Sequence, residues 1–171
     1  MALNKSTVCL FGIFNPGYSR SRMIAHGLAQ QGIRTITVQD RTPGLAKYRN
    51  LWRKLKAVVG EFDVLFVCFP GQTAMVLARL MTRKPIVFDA FTSLYDSDVY
   101  DRAVVRPWGW GALWRFLLDF LSMHLADFVI VDTEAQKRYY LRAFRLRPDR
   151  IGVVPVGSVE AVMQPTPLPE R

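Results

Sequence analysis

The sequence has 171 residues, of which 50% are hydrophobic, and a formal net charge of +9 at pH 7. This length and hydrophobic share predict one domain with one packed core. A membrane span is excluded, because charged residues interrupt the longest apolar stretch, residues 108–130. The excess of Lys and Arg predicts an anionic partner, without choosing among phosphates, acidic lipids and nucleic acid.

The chain begins with a short apolar run that predicts a buried strand. Residues 8–14 are almost wholly apolar and are followed by Asn-Pro-Gly, as expected of a strand covered on both faces. The run lacks a small-residue cleavage site, so we expect a cytoplasmic protein rather than a secreted one. Ser19 is placed to cap a following helix, which Gly32 would end.

Strands and helices then alternate along the chain. The predicted strands are 34–38, 63–69, 86–89, 128–131 and 151–155, and the predicted helices are 45–59, 73–81, 112–125 and 134–144. Short connections and nearly continuous apolar strands predict an α/β fold, in which a parallel sheet of about six strands carries helices on both faces. Cys9 and Cys68 both lie in predicted strands, where we expect reduced core residues.

The helix predicted at 45–59 has an apolar stripe and a basic remainder. The stripe consists of Leu45, Tyr48, Trp52, Leu55 and Val59, which recur every three or four residues. Lysine and arginine occupy most other positions of this helix. The pattern predicts an amphipathic helix that packs through this stripe.

The loop after the first strand is a candidate anion site. Ligands of parallel sheets bind where strands end and helices begin, because free backbone N–H groups and the helix dipole favour anions there. Residues 12–19 approach the spacing of the phosphate loop of nucleotide hydrolases, but Tyr18 replaces the required lysine and Pro16 lacks a donor. The dinucleotide pattern G-x-G-x-x-G is absent. Arg20 and Arg22 remain, at the start of the predicted helix. They would suit a phosphate or a sugar acid, and the alternative is that they belong to a solvated first turn.

Four segments together resemble one known family. They are PGYSRSR at 16–22, KPIVFDAFTSLYD at 84–96, ADFVIVDTE at 126–134 and IGVVPVG at 151–157. They are similar to the N-terminal domain of family-four glycosyltransferases, the retaining enzymes of the GT-B fold. In that family a Val-Pro-x-Gly turn leads from the first domain to the second.

The resemblance implies that residues 1–157 form the N-terminal Rossmann-like half and that residues 158–171 form a linker towards a C-terminal donor domain. That donor domain is absent from the chain and would be supplied in cis or in trans. The implied activity is hexosyl transfer from a nucleotide sugar to a saccharide or lipid-linked acceptor, which this half mainly binds. No cofactor beyond the donor and no metal are expected, and this chain alone is expected to be inactive.

The resemblance also implies the site residues. Asp89, at the end of the fourth strand, is the candidate catalytic residue, and it could orient the acceptor or stabilise positive charge on the sugar; the alternative is a turn cap. The candidate substrate-binding residues are Gly17, Tyr18, Arg20, Arg22, Phe91, Ser93, Tyr95 and Asp96. The acidic cluster formed by Asp96, Asp98 and Asp101 is read as a solvated loop rather than a metal site.

Residues 106–118 combine three tryptophans with basic residues, as membrane-interface segments do. A peripheral position on the inner face of the plasma membrane is therefore left open, alongside packing of this face within the protein. No nucleic-acid-binding motif is present, so nucleic acid is not expected as a partner. The alternative function is a non-catalytic, membrane-docking subunit of the same fold that recruits a catalytic partner.

Overall fold

A computed structural model describes residues 6–157, so the predicted linker at 158–171 lies outside the described residues. The strands are β1 (Thr7–Gly12), β2 (Arg34–Gln39), β3 (Val64–Val67), β4 (Ile86–Asp89), β5 (Phe128–Val131) and β6 (Ile151–Val153). The α-helices are α1 (Ser19–Gln30), α2 (Ala46–Val58), α3 (Gln72–Met81), α4 (Trp110–Leu125) and α5 (Glu134–Ala143). A π-helical turn spans Asp96–Asp101, and a short 3-10 helix spans Pro148–Arg150.

The six strands form one parallel sheet in the order β2-β1-β3-β4-β5-β6. Val8 pairs with both Thr35 and Val64, which places β1 between β2 and β3. All six strands point the same way, so their carboxyl ends meet at one edge of the sheet, and the loop after β1 and the end of β4 share that edge. The predicted α/β parallel sheet is confirmed.

The two faces of the sheet carry separate apolar cores. Alternating residues of β1 show the division, since Cys9 and Phe11 belong to one core and Val8 and Leu10 to the other. Helix α1 packs on the second core through Ile24, and α2 to α5 pack on the first. Right-handed crossovers account for this arrangement, because the direction of a crossover decides on which face its helix lies. The connection from β1 to β2 runs in one direction across the sheet, and all later connections run in the opposite direction, towards β6. The expected helices on both faces are confirmed.

Two local predictions were wrong. Ser19 is the first residue of α1 rather than its cap; Tyr18 is the cap residue, and no side chain caps that end of the helix. In α2 the buried positions are Leu51 and Leu55, whereas Leu45 of the predicted stripe is 82% exposed. Trp52, which lies on the same side of the helix as Leu45, is also 44% exposed, so the buried face is displaced from the predicted stripe towards Leu51.

Gly71 is needed where β3 passes into α3. A Cβ at this position would lie 2.6 Å from Val67 Cγ1 and 2.7 Å from the Cys68 carbonyl oxygen, closer than real Cβ atoms approach. The absence of a side chain therefore lets α3 start directly beside the end of β3. Cys9 and Cys68 are unpaired and buried, as predicted for core residues.

Candidate functional site

The loop after β1 is held by a turn at Asn15. The backbone N–H of Gly17 donates to Asn15 Oδ1 at 3.0 Å, and the N–H of Tyr18 donates to the Asn15 carbonyl oxygen at 3.0 Å. Asparagine forms such turns because its short side chain reaches the backbone two residues further on. The turn leaves Gly17 and the Tyr18 side chain exposed at the carboxyl edge of the sheet.

Tyr18 lines an open depression of about 240 Å³ at this edge. Its lining residues come from the loops after three neighbouring strands: Ile13, Asn15, Tyr18, Arg41, Phe69 and Pro70. Arg41 follows β2 and is exposed, so it brings a cation to the depression. The volume is below the roughly 300–1,000 Å³ of pockets that enclose a small molecule. The depression therefore has the size expected of one wall of a binding site rather than of a pocket that encloses its ligand.

Sequence analysis identified the segment 12–19 as a candidate site but not the other three lining residues, Arg41, Phe69 and Pro70. Arg41 and Phe69 lie far apart in the sequence, and they meet the 12–19 loop only because β1 lies between β2 and β3. The available signal was their position directly after an apolar strand. That signal marks an edge of the sheet, but the strand order decides which loops become neighbours.

Arg20 and Asp89 form a buried ion pair beneath the loop. Arg20 Nε lies 2.8 Å from both carboxylate oxygens of Asp89, and Arg20 Nη2 lies 2.6 Å from Oδ1. The side chains are only 1% and 2% exposed. Arg20 Nη1 also donates to the Val154 carbonyl oxygen at 3.3 Å, and the guanidinium carbon lies 4.8 Å from the centroid of the Phe91 ring. The pair thus joins α1, β4 and the segment after β6.

Burial raises the pKa of Asp89, and the hydrogen bonds and charge of Arg20 oppose that rise. The two charges balance each other in a place that excludes water, although Arg20 Nη2 makes no aligned hydrogen bond despite its short distance to Asp89. Contact of either group with a substrate therefore requires the pair to open. The structure therefore places Arg20 and Asp89 under the edge of the sheet and not on its surface. Their predicted roles in catalysis and substrate binding stay predictions.

A second buried carboxylate, Asp119 of α4, fixes the loop after β4. Asp119 is fully buried and accepts hydrogen bonds from the backbone N–H groups of Leu94 and Tyr95, at 3.1 and 2.9 Å. It also accepts from Ser93 Oγ at 2.8 Å and Gln72 Nε2 at 3.3 Å. Burial raises the pKa of Asp119, and these hydrogen bonds oppose the rise. Sequence analysis missed Asp119, because a single carboxylate in an apolar helix gives no sign of which loop it contacts.

The predicted residues of the 91–96 loop have defined contacts. Ser93 is 2% exposed, and its hydroxyl donates to Asp119 and accepts from the N–H of Asp96. Tyr139 donates its hydroxyl to Asp96 Oδ1 at 2.8 Å, and burial raises the pKa of Asp96. Tyr95 is half-buried, with its ring edge against Tyr100 at 5.7 Å between centroids. The contacts of Ser93 and Asp96 therefore fix the conformation of the loop and attach it to α4 and α5.

Phe91 links this loop to the depression. Its ring meets that of Phe69 edge to face, with 5.3 Å between centroids, and Phe69 lines the depression. Arg22, by contrast, is exposed on α1. Of the predicted substrate-binding residues, the structure thus places Tyr18 in the depression and Phe91 against its lining residue Phe69.

One of the three carboxylates in the acidic turn at 96–101 is paired with arginine. Asp98 forms an ion pair with Arg115 of α4 and lies 4.0 Å from Arg102. Within residues 6–157, no group of three or more His, Cys, Asp and Glu side chains is arranged to hold a metal ion. None of the helices in that same range has the length and apolar character that crossing a bilayer requires.

A comparison with protein families gives one match. The sequence model of the family described as Glycosyltransferase Family 4 matches residues 10–158. The matched range begins within β1 and contains every later element of the sheet. No significant match was found among curated proteins.

Proposed function

Because the chain belongs to glycosyltransferase family 4, we propose that it supplies the acceptor-binding half of a hexosyltransferase that uses a nucleotide-sugar donor. The observation that carries the proposal is the family match across residues 10–158, together with the exposed depression at the carboxyl edge of the sheet within that range. This edge is where open parallel sheets bind their ligands.

In this proposal, the acceptor contacts the side chains that reach the depression. The Tyr18 and Phe69 rings offer flat surfaces for the apolar face of a sugar ring, and Asn15 offers an amide for its hydroxyls. Arg41 is an exposed cation at the same place, which suits an acceptor that carries an acid or a phosphate. We propose a saccharide or a lipid-linked saccharide as the acceptor.

The role proposed for this half in the reaction is to position the acceptor. A transferase whose leaving phosphate takes the acceptor proton needs no strong base, and the depression presents no carboxylate among its lining residues. Asp89 then acts through Arg20: the pair holds the start of α1, and with it Tyr18, against β4. In this role Asp89 is a positioning residue for the loop that contacts the acceptor.

The donor site is completed, in this proposal, by a second domain in cis or in trans. The depression is open and too small to enclose a nucleotide sugar by itself, which supports a cleft with a second wall. A cytoplasmic location fits two buried, unpaired cysteines, because structural disulfides belong to oxidising compartments. We propose no cofactor and no metal beyond the donor.

The test is transfer kinetics with the chain and a donor-binding domain together. A panel of nucleotide sugars and a glycan array, with free and lipid-linked saccharides, identify a donor and an acceptor. Tyr18→Ala and Arg41→Ala should then each raise the KM for the acceptor by about tenfold, since the first removes a stacking surface and the second a charged contact, with the KM for the donor unchanged.

Arg49→Ala is the matched control, because Arg49 is exposed on α2 and does not line the depression. It should leave both KM values unchanged. An unchanged acceptor KM in both depression variants, or a raised donor KM instead, would contradict an acceptor site at this place.

A further inference from the structure

Helix α4 presents an apolar stripe to solvent. Its inward side is buried at Ala112, Asp119, Ser122 and Met123. The opposite side, called here the α4 stripe, consists of exposed apolar residues: Trp110, Leu113, Trp114, Leu117 and Leu121. These positions follow the spacing of one helical face. A surface helix ordinarily has polar residues on this side, so the pattern is inverted.

The exposed fractions of the stripe are large. Trp110 is 88% exposed and Trp114 is 60% exposed, while Trp108, just before the helix, is fully exposed. Tryptophan is a costly residue to leave in water, and contiguous exposed apolar surface of this kind marks an interaction site. The stripe continues along three turns of the helix, which gives it the shape of a convex ridge.

The stripe itself carries no carboxylate, and the charged groups near it are of both signs. The single carboxylate of α4, Asp119, is fully buried and used by the 93–95 loop. Arg106 is exposed just before α4, whereas Arg115 is paired with Asp98 and the neighbouring turn also exposes Asp101. The chain as a whole carries a net charge of +9. A partner of the stripe therefore meets apolar surface next to Arg106, on a chain that is positively charged overall.

We propose that the α4 stripe docks the protein on an anionic lipid bilayer, with the helix lying in the interface. A convex ridge of Trp and Leu with arginine beside it matches the apolar-to-polar gradient of a bilayer surface, where tryptophan concentrates. The negative potential of acidic headgroups complements Arg106 and the net positive charge. The inference is independent of the proposed transferase activity, because it rests on exposure and charge alone.

Docking in this way would bring the bilayer to a groove beside Tyr95, one of the predicted substrate-binding residues. A groove of about 280 Å³ runs between the start of α4 and the loop after β4, and Trp108, Leu113 and Tyr95 line it. Trp108 precedes the stripe, Leu113 belongs to it, and Tyr95 belongs to the loop held by Asp119. If the proposed function is correct, a lipid-linked acceptor would reach the site from the surface on which the protein is docked.

Vesicle flotation of the 171-residue chain tests the proposal. Vesicles of phosphatidylcholine mixed with phosphatidylglycerol should carry the protein at low salt, and phosphatidylcholine alone should carry much less. The double variant Trp110→Ser/Trp114→Ser should bind at least about tenfold more weakly, because two large apolar side chains no longer enter the interface. Leu45→Ser is the matched control, since Leu45 is 82% exposed but lies at the start of α2. It should bind as the wild type does.

Fluorescence gives a second readout that does not depend on flotation. The chain has four tryptophans, and in the Trp52→Phe variant the remaining three are Trp108, Trp110 and Trp114. Their emission should shift to shorter wavelength when anionic vesicles are added. Equal binding of the stripe variant and the wild type, equal binding to neutral vesicles, or stripe-dependent self-association without vesicle binding would each overturn the proposal.

Discussion

Arg20 and Asp89 lie 69 positions apart in the sequence, yet each neutralises the other in a site that excludes water. Taking one charge of such a pair away leaves the other buried without a counterion, which costs far more than losing an exposed pair. The contact exists because α1 begins at the edge of the sheet where β4 ends. A residue that reads as a free strand-end carboxylate in the sequence is thus a fixed part of the fold.

Asp89→Asn should destabilise the protein by about 3 to 5 kcal/mol, because the Arg20 guanidinium would remain buried without its counterion. Urea unfolding at neutral pH measures the change through the transition midpoint. The double variant Arg20→Met/Asp89→Leu should recover part of the loss, since it removes both charges and keeps apolar volume.

Asp149→Asn serves as the control for the Asp89 experiment. Asp149 pairs with Arg147, but their side chains are 60% and 72% exposed, so this substitution should leave the unfolding midpoint unchanged. If Asp89→Asn behaved like Asp149→Asn, the pair would not be a stabilising feature of the folded protein. A direct role of Asp89 at the substrate would then gain support.

Asp119 connects α4 to the loop after β4. Asp119→Asn should cost about 1 to 3 kcal/mol, because the new NH2 group faces donors and leaves a buried N–H of Leu94 or Tyr95 unpaired. Urea unfolding again gives the change. Asp101→Asn, an exposed carboxylate in the neighbouring turn, is the control and should stay within about 0.5 kcal/mol of the wild type.

The Asp119 substitution also has a pH dependence. Because the folded-state pKa of Asp119 is raised above its ordinary value of 3.8, its proton stabilises the folded state below that value. This contribution is lost as the pH rises through the raised pKa. The stability difference between the wild type and Asp119→Asn should therefore widen as the pH is lowered from neutral towards 3.8. A difference that narrows on acidification would show that the carboxylate is preferentially ionised in the fold.

The elements themselves were largely predictable, and the contacts between them were not. Every strand from β1 to β6 overlaps a predicted strand. For β1, β3, β4 and β5 the signal was a nearly continuous apolar run, which strands buried on both faces need, whereas the edge strand β2 alternates polar and apolar residues. The α4 stripe was harder to interpret, since an apolar helix in a sequence reads as a core helix. Only the packed structure separates the buried Asp119 and Ser122 from the exposed Trp110 and Trp114. Helix ends were less certain, as Ser19 shows.

At the scale of the molecule, the sequence predicted the parallel sheet and the edge that carries the candidate site. It identified Gly17 and Tyr18 at that edge but not Arg41 or Phe69, because their meeting depends on the strand order β2-β1-β3. Local patterns determine where strands lie along the chain. Which strands become neighbours is decided by the packing of whole units, and a site built from several loops follows that choice.

We expect the chain alone to bind nucleotide sugars only weakly, because the donor would bind mainly to a second domain. Titration calorimetry of the 171-residue chain with nucleotide sugars should give dissociation constants of about 1 mM or weaker. The open depression of about 240 Å³ buries too little of such a ligand to offset the freedom it loses on binding. Adding a donor-binding domain should tighten binding into the range usual for enzyme substrates, about 1 μM to 1 mM.

Micromolar binding of a nucleotide sugar by the chain alone would contradict this division, because it would require a complete donor pocket within one half. Arg41→Ala distinguishes the two situations in the same titration. If the donor bound in the depression, this variant would weaken binding, since Arg41 is the cation among the lining residues. If the depression is the acceptor wall, donor binding by the combined protein should be the same with and without Arg41.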